Sequence, residues 1–205
     1  MSDEFFTPQE VALMRDRDFF HAKARIMAKV REQLEATYLE LKQELSGVKL
    51  LAPSDLDLAK HQLVKGEHLD AFPYQYLDFP KHFAGEEKFT FRTLFWWGHH
   101  FAFAMVLQGE PLLRYKQNLI NRYREVADRG VHLTLGPNLW EWRSGAGYTL
   151  SLTADRKPEV SAVLDGRESF KLARFLPHDD PVVASGAIPA AARDAFRAIL
   201  PVIRP

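Results

Sequence analysis

The sequence predicts an α+β fold whose antiparallel sheet has about five to seven strands, and three observations carry that expectation. Ile26, Val30, Leu34, Leu41 and Leu45, with Tyr38 between, recur at steps of three and four over about Asp18 to Leu45, the spacing of one helix face. Phe72 to Phe103 holds twelve aromatics in 32 residues against a chain average of 12%, an enrichment that suits a pleated surface. The second half then breaks into short apolar runs punctuated by glycine and proline.

In chain order, Thr7-Pro8-Gln9-Glu10 reads as a capping box with proline at the first helical position. The long helix follows, with charged residues on its other faces and Gly47 as its stop. Between Val48 and Leu69 the pattern blurs, with Pro53 and Gly66 as breakers. Phe89, Phe91, Phe95 and Trp97 then share one parity, and Arg92, Leu94 and Trp96 the other. Alternation resumes from His100 to Leu107, which suggests a hairpin turning near Gly98. A long buried helix through 91–107 competes with it, because both faces are apolar; the aromatic content favours strands.

A second helix is expected near 111–129, ended by Gly130. Strand candidates are Val131–Leu135, Leu139–Arg143, Tyr148–Thr153 and Phe170–Phe175, and Pro158–Leu164 reads as a short helix or an ordered loop. Pro189 to Leu200 reads as a closing helix. Residues 1–205 thus form one expected domain: a helical N-terminal part (1–47), a sheet with an inserted helix (70–176) and a C-terminal helix (187–205).

Composition removes several function classes. Lys+Arg and Asp+Glu both number 27, so bulk charge gives no drive toward nucleic acid. No cysteine is present, which excludes disulfides, thiolate nucleophiles and cysteine metal sites. The opening MSDEFFTPQE lacks the basic start and apolar core of a secretory signal, and the apolar run Phe101 to Leu107 is far short of a helical membrane span. The expectation is a cytoplasmic protein with no membrane and no nucleic-acid partner.

Motifs for chemistry are sparse. No nucleophile elbow, phosphate loop or dinucleotide fingerprint occurs. None of the eight histidines forms a pair four residues apart on a helix. His99 and His100, being adjacent, would point to opposite faces of a strand, and only a turn would bring both toward Asp78, Glu141 or Asp179. No metal and no cofactor is therefore expected.

The aromatic hairpin is the best lead. Trp96 and Trp97 flank its turn on opposite sides, while Trp140 and Trp142 share one face with Glu141 on the other. Tryptophans bury large areas yet need a partner for the indole N–H, so they commonly line pockets and interfaces. The candidate ligand-binding set is Arg92, Trp96, Trp97, His99, His100 and Glu141, imagined as an aromatic concavity keyed by Arg92, His100 and Glu141. The bland reading, that the tryptophans simply complete a sheet core, stands beside it.

Lys65-Gly66-Glu67, then Phe72-Pro73-Tyr74-Gln75-Tyr76-Leu77-Asp78-Phe79-Pro80, then Arg92-Thr93-Leu94-Phe95-Trp96-Trp97-Gly98 resemble a family of uncharacterised soluble bacterial proteins of similar length. That family is similar in a long first helix, a Pro-Tyr…Leu-Asp-Tyr-Pro segment and an Arg-Thr-Met-Phe-Trp-Trp-Gly segment, over roughly residues 60–107. His99-His100 stands where the family has a polar residue and an aromatic, which weighs against metal binding there. The resemblance implies one domain and no particular activity. The leading functional expectation is a non-enzymatic protein that binds a small ligand or a protein partner, including a second copy of itself, through the aromatic sheet. The alternative is a hydrolase or lyase using His99 or His100 with a carboxylate, with or without metal.

Overall fold

The computed structural model describes residues 5–205; the first four positions of the expected helical part lie outside them. The fold is α+β, as the sequence predicts. In chain order the helices and strands are α1 (Pro8–Met14), α2 (Arg17–Glu44), β1 (Gln62–Leu69), β2 (Phe72–Ala84), β3 (Glu87–Trp96), β4 (His100–Gln108), α3 (Leu112–Asn121), α4 (Tyr123–Val126), β5 (His132–Thr134), β6 (Thr149–Ser151), α5 (Lys157–Leu164), β7 (Ser169–Pro177), α6 (Pro181–Ala184) and α7 (Ile188–Ile203). The strands form one seven-stranded antiparallel sheet in the order β1-β2-β3-β4-β7-β5-β6.

The capping box at α1 is present: Thr7 Oγ1 accepts from the Glu10 amide at 3.2 Å, and Glu10 Oε2 accepts from the Thr7 amide at 2.7 Å. In α2, Asp16 Oδ1 caps the start by accepting from the Phe19 amide. The helix buries Met27, Val30, Leu34, Thr37 and Leu41, so the expected stripe is correct except that Ile26 stays at the surface. α7 is tied to α2 by two ion pairs one turn apart on each helix: Arg193 pairs with Glu40, and Arg197 grips both carboxylate oxygens of Glu44 at 2.7 and 2.8 Å. Beneath those pairs Phe196, Ile199 and Val202 join Leu34 and Leu41 in the core.

The sheet's two faces differ. One parity, Leu77, Phe79, Phe89, Phe91, Phe95, Phe101, Phe103, Met105, Phe170 and Leu172, packs under the helices. The other carries Tyr74, Tyr76 and Asp78 on β2, Arg92, Leu94 and Trp96 on β3, His100, Ala102 and Ala104 on β4, and Lys171 and Ala173 on β7. A small second cluster forms there around Leu94, Trp96, Ala102, Ala104, Trp142 and Ala173. The hairpin reading of 89–107 is thus the observed one, with β3 and β4 in unbroken register from Lys88↔Gln108 to Trp96↔His100.

Three expectations need correction. Residues 48–69 contain β1, because Gly66 does not end the strand but lies opposite Tyr74, and a Cβ at Gly66 would run into the Tyr74 ring. The helix near 111–129 is two pieces that break at Arg122 (φ −104°, ψ 24°), whose guanidinium instead donates to the carbonyls of Pro201 in the last turn of α7 and of Arg204 and Pro205 just past it. Leu139–Arg143 is not a strand. Its Leu139 and Glu141 carbonyls accept from the Lys171 ammonium rather than from a neighbouring strand. Residues 136–147 instead form a strap across the second face of the sheet.

At the outer edge β1 has an irregular register between Gly66 and Leu69, and Lys23 of α2 reaches across to Glu67 at 2.7 Å. Among the described residues no helix is long and apolar enough to cross a membrane.

Candidate functional site

The six candidate residues divide between the faces of the sheet. On the strapped face, Arg92 and Asp78 are cross-strand partners, so their side chains emerge side by side. Asp78 Oδ1 accepts from Arg92 Nε and Oδ2 from Nη2, both at 2.7 Å, a two-point pair that is almost wholly buried. Aromatic rings close over the guanidinium. Its carbon lies 3.6 Å from the Tyr76 centroid, 4.8 Å from Trp140 and 5.4 Å from Trp142. The Nε/Nη2 edge of Arg92 is thus bonded to Asp78 and its face is covered by rings, so it holds the strap down rather than presenting a free cation.

Lys171 was not among the candidates, yet it is the largest charged side chain with no exposure at all. Its Nζ donates to Leu139 O at 2.8 Å and to Glu141 O, and it sits 3.8 Å over the Trp142 ring. Burial pulls its ammonium down to about 7; the Glu141 carboxylate opposes that pull and Arg92 adds to it. The signal for it lay in the alternation Lys171, Ala173, Phe175 on β7, which puts the lysine on the same face as Arg92. Glu141 meets neither Arg92 nor His100. Its carboxylate takes Arg143 Nε at 3.0 Å and Nη2 at 2.8 Å.

Trp96 is 1% exposed and donates its indole N–H to Leu69 O at 2.9 Å. His99, lifted into the turn by Gly98 (φ 73°), stacks on Trp96 with centroids 3.6 Å apart. His100 Nε2 donates to Trp142 O at 3.0 Å. Burial drives the His100 imidazole down to about 4, the Trp142 carbonyl opposing and His99 and His178 assisting, so the ring is neutral at pH 7. Both histidines thus gather on Trp96, held by stacking and a backbone carbonyl. The histidine that does stand between carboxylates is His82, flanked by Asp55 and Glu87 toward the opposite end of β3.

Trp97 alone of the six faces the helices. It lines a pocket of about 310 Å³ with Phe95 and Phe101 of the hairpin, Ile26, Val30 and Gln33 of α2, and His178 and Val183 around α6. The Phe95, Phe101 and His178 rings lie 5.1 to 5.6 Å apart in its wall. His178 Nε2 is committed to Trp96 O at 2.9 Å. Gln33 Oε1, in contrast, is buried with no hydrogen-bond partner. An unpaired buried acceptor costs about 1–3 kcal/mol. Gln33 sits on the α2 stripe one residue before buried Leu34, a placement that periodicity could have flagged.

The aromatic-walled pocket at Trp97 is thus a different place from the concavity expected around Arg92, His100 and Glu141, which lie on the opposite face of the sheet. No family model, curated protein or solved structure matches the chain.

Proposed function

We propose that the protein is a non-enzymatic binding protein that holds a small, largely apolar molecule carrying one hydrogen-bond donor in the pocket beneath Trp97. The observation that carries this reading is the pairing of aromatic and aliphatic walls with one unpartnered buried acceptor on a lining residue, Gln33 Oε1. Its volume lies at the lower end of small-molecule sites, roughly 300–1,000 Å³, where apolar lining supplies affinity and few polar groups set orientation. The polar residues on the strapped face support the reading indirectly, because each is bonded within the protein and keeps the hairpin stiff.

N-phenyl-1-naphthylamine tests it, since the probe is neutral and apolar and has one N–H. Saturable, blue-shifted probe fluorescence is expected with the wild type. Val183→Trp, which fills the pocket from α6, should abolish it, and Gln33→Leu should weaken it by about fivefold, one neutral hydrogen bond. Equal probe binding by wild type and Val183→Trp would overturn the proposal, as would no binding at all.

A further inference from the structure

We propose that Asp55, His82 and Glu87 form a binding site for a divalent transition-metal ion of the Zn²⁺ class, separate from the Trp97 pocket. The three come from different segments: Asp55 from the loop between α2 and β1, His82 from the end of β2, and Glu87 from the start of β3 across the hairpin turn. One ligand atom from each lies within 4.8 Å of the others.

The two carboxylates approach the imidazole from different ring nitrogens, at contacts too long for a settled hydrogen-bond chain, so an ion on Nε2 would take Glu87 directly and Asp55 by reorientation. His82 Nδ1 is 3.5 Å from Asp55 Oδ1, and Nε2 is 3.4 Å from Glu87 Oε2, both long for charge-assisted bonds. His82 is only 8% exposed, yet its Nε2 has no hydrogen-bond partner. Two ligands bound tetrahedrally to zinc at about 2.1 Å stand roughly 3.4 Å apart, which is the His82–Glu87 spacing. Asp55 is largely exposed, so a side-chain rotation can complete the set and leave a solvent-facing position for water.

Charge and support agree with this. Among the described residues neither Asp55 nor Glu87 has a lysine or arginine within ion-pair distance, so two carboxylates face the imidazole without a resident cation. Glu87 is held from behind by Gly109 (φ 111°), where a Cβ would stand 2.9 Å from Glu87 Cγ. The loop carrying Gly109 thus packs on the ligand and fixes its reach. One imidazole with two carboxylates is a mixed set suited to Zn²⁺ and its neighbours, whereas Ca²⁺ and Mg²⁺ prefer all-oxygen shells.

The test uses the full chain, freed of metal with chelator and titrated with Zn²⁺ by calorimetry, with Co²⁺ absorption as a second readout. One equivalent should bind, raise the melting temperature and, for Co²⁺, give visible bands. Asp55→Asn changes an exposed side chain and leaves the core alone, so it should fold normally while losing roughly tenfold or more in affinity. Glu87→Gln and His82→Gln should do the same, and His61→Ala should leave binding unchanged. Zinc affinity unaltered in Asp55→Asn and Glu87→Gln, or no saturable site in the wild type, would overturn the assignment.

Discussion

Asp78 and Arg92 stand opposite each other on β2 and β3 and close two hydrogen bonds of 2.7 Å beneath a roof of Tyr76, Trp140 and Trp142. With Lys171 and His100, which bond strap carbonyls, the pair fastens the strap 136–147 to the sheet, and among the described residues Arg92 is the cation that touches rings from both β2 and the strap.

Removing one member should therefore cost far more than removing both. Asp78→Ala leaves Arg92 charged and unpaired under aromatic rings, and a loss of about 3–5 kcal/mol is expected. The double variant Asp78→Leu/Arg92→Met replaces the pair by apolar volume and should recover most of that loss. Urea unfolding of both variants measures the difference. A double variant no more stable than Asp78→Ala would show that the rings, rather than the buried charge, set the energetics.

Lys171 makes stability depend on pH in a defined window. Its folded value is pulled down to about 7 by burial, while an unfolded lysine holds its proton to about 10.5. Between those values unfolding takes up one proton, so stability rises with pH, and below about 7 the dependence from this group vanishes. The wild type should gain on Lys171→Met by about 1 kcal/mol per pH unit from pH 7 to 10. Unfolding curves that stay parallel across that range would mean that the ammonium is not held as described.

At Gly66 the ordinary preference for alanine over glycine in a strand should invert. Alanine normally gains about 0.5–1 kcal/mol there. Here the added methyl meets the Tyr74 ring, which is stacked on Tyr76 with centroids 6.1 Å apart, and Tyr76 in turn covers Arg92. Gly66→Ala should cost about 1–3 kcal/mol in the wild type and become neutral or stabilising in a Tyr74→Ala background. Melting temperatures of the four proteins complete the cycle, and an equal effect in both backgrounds would refute the steric account.

Periodicity made the long helix, the β3–β4 hairpin and β7 legible, because each buries a continuous face against a partner and so must repeat at 3.6 or 2 residues. β1 escaped it, since an edge strand half-covered by α2 needs no alternation and Gly66 looks like a breaker until Tyr74 is seen across from it. The Leu139–Arg143 segment alternates as a strand would, and Trp140 and Trp142 do share a face, yet their backbone is satisfied by a lysine from 30 residues further on. Asp55 with His82 and Glu87 was out of reach for the same reason. Its members approach only after the hairpin closes and the loop after α2 folds back, and no local spacing records that.

The irregular, charge-flanked β1 also limits how this sheet can recognise anything. The outermost strands of the sheet are β1 and three-residue β6. One offers a shifted register with Lys65 and Glu67 along it and Lys23 laid across, and the other is too short to template a strand. Partner capture by main-chain strand addition is thereby disfavoured at both ends. The same two outermost strands are thereby poor templates for sheet-to-sheet pairing between identical molecules at high concentration.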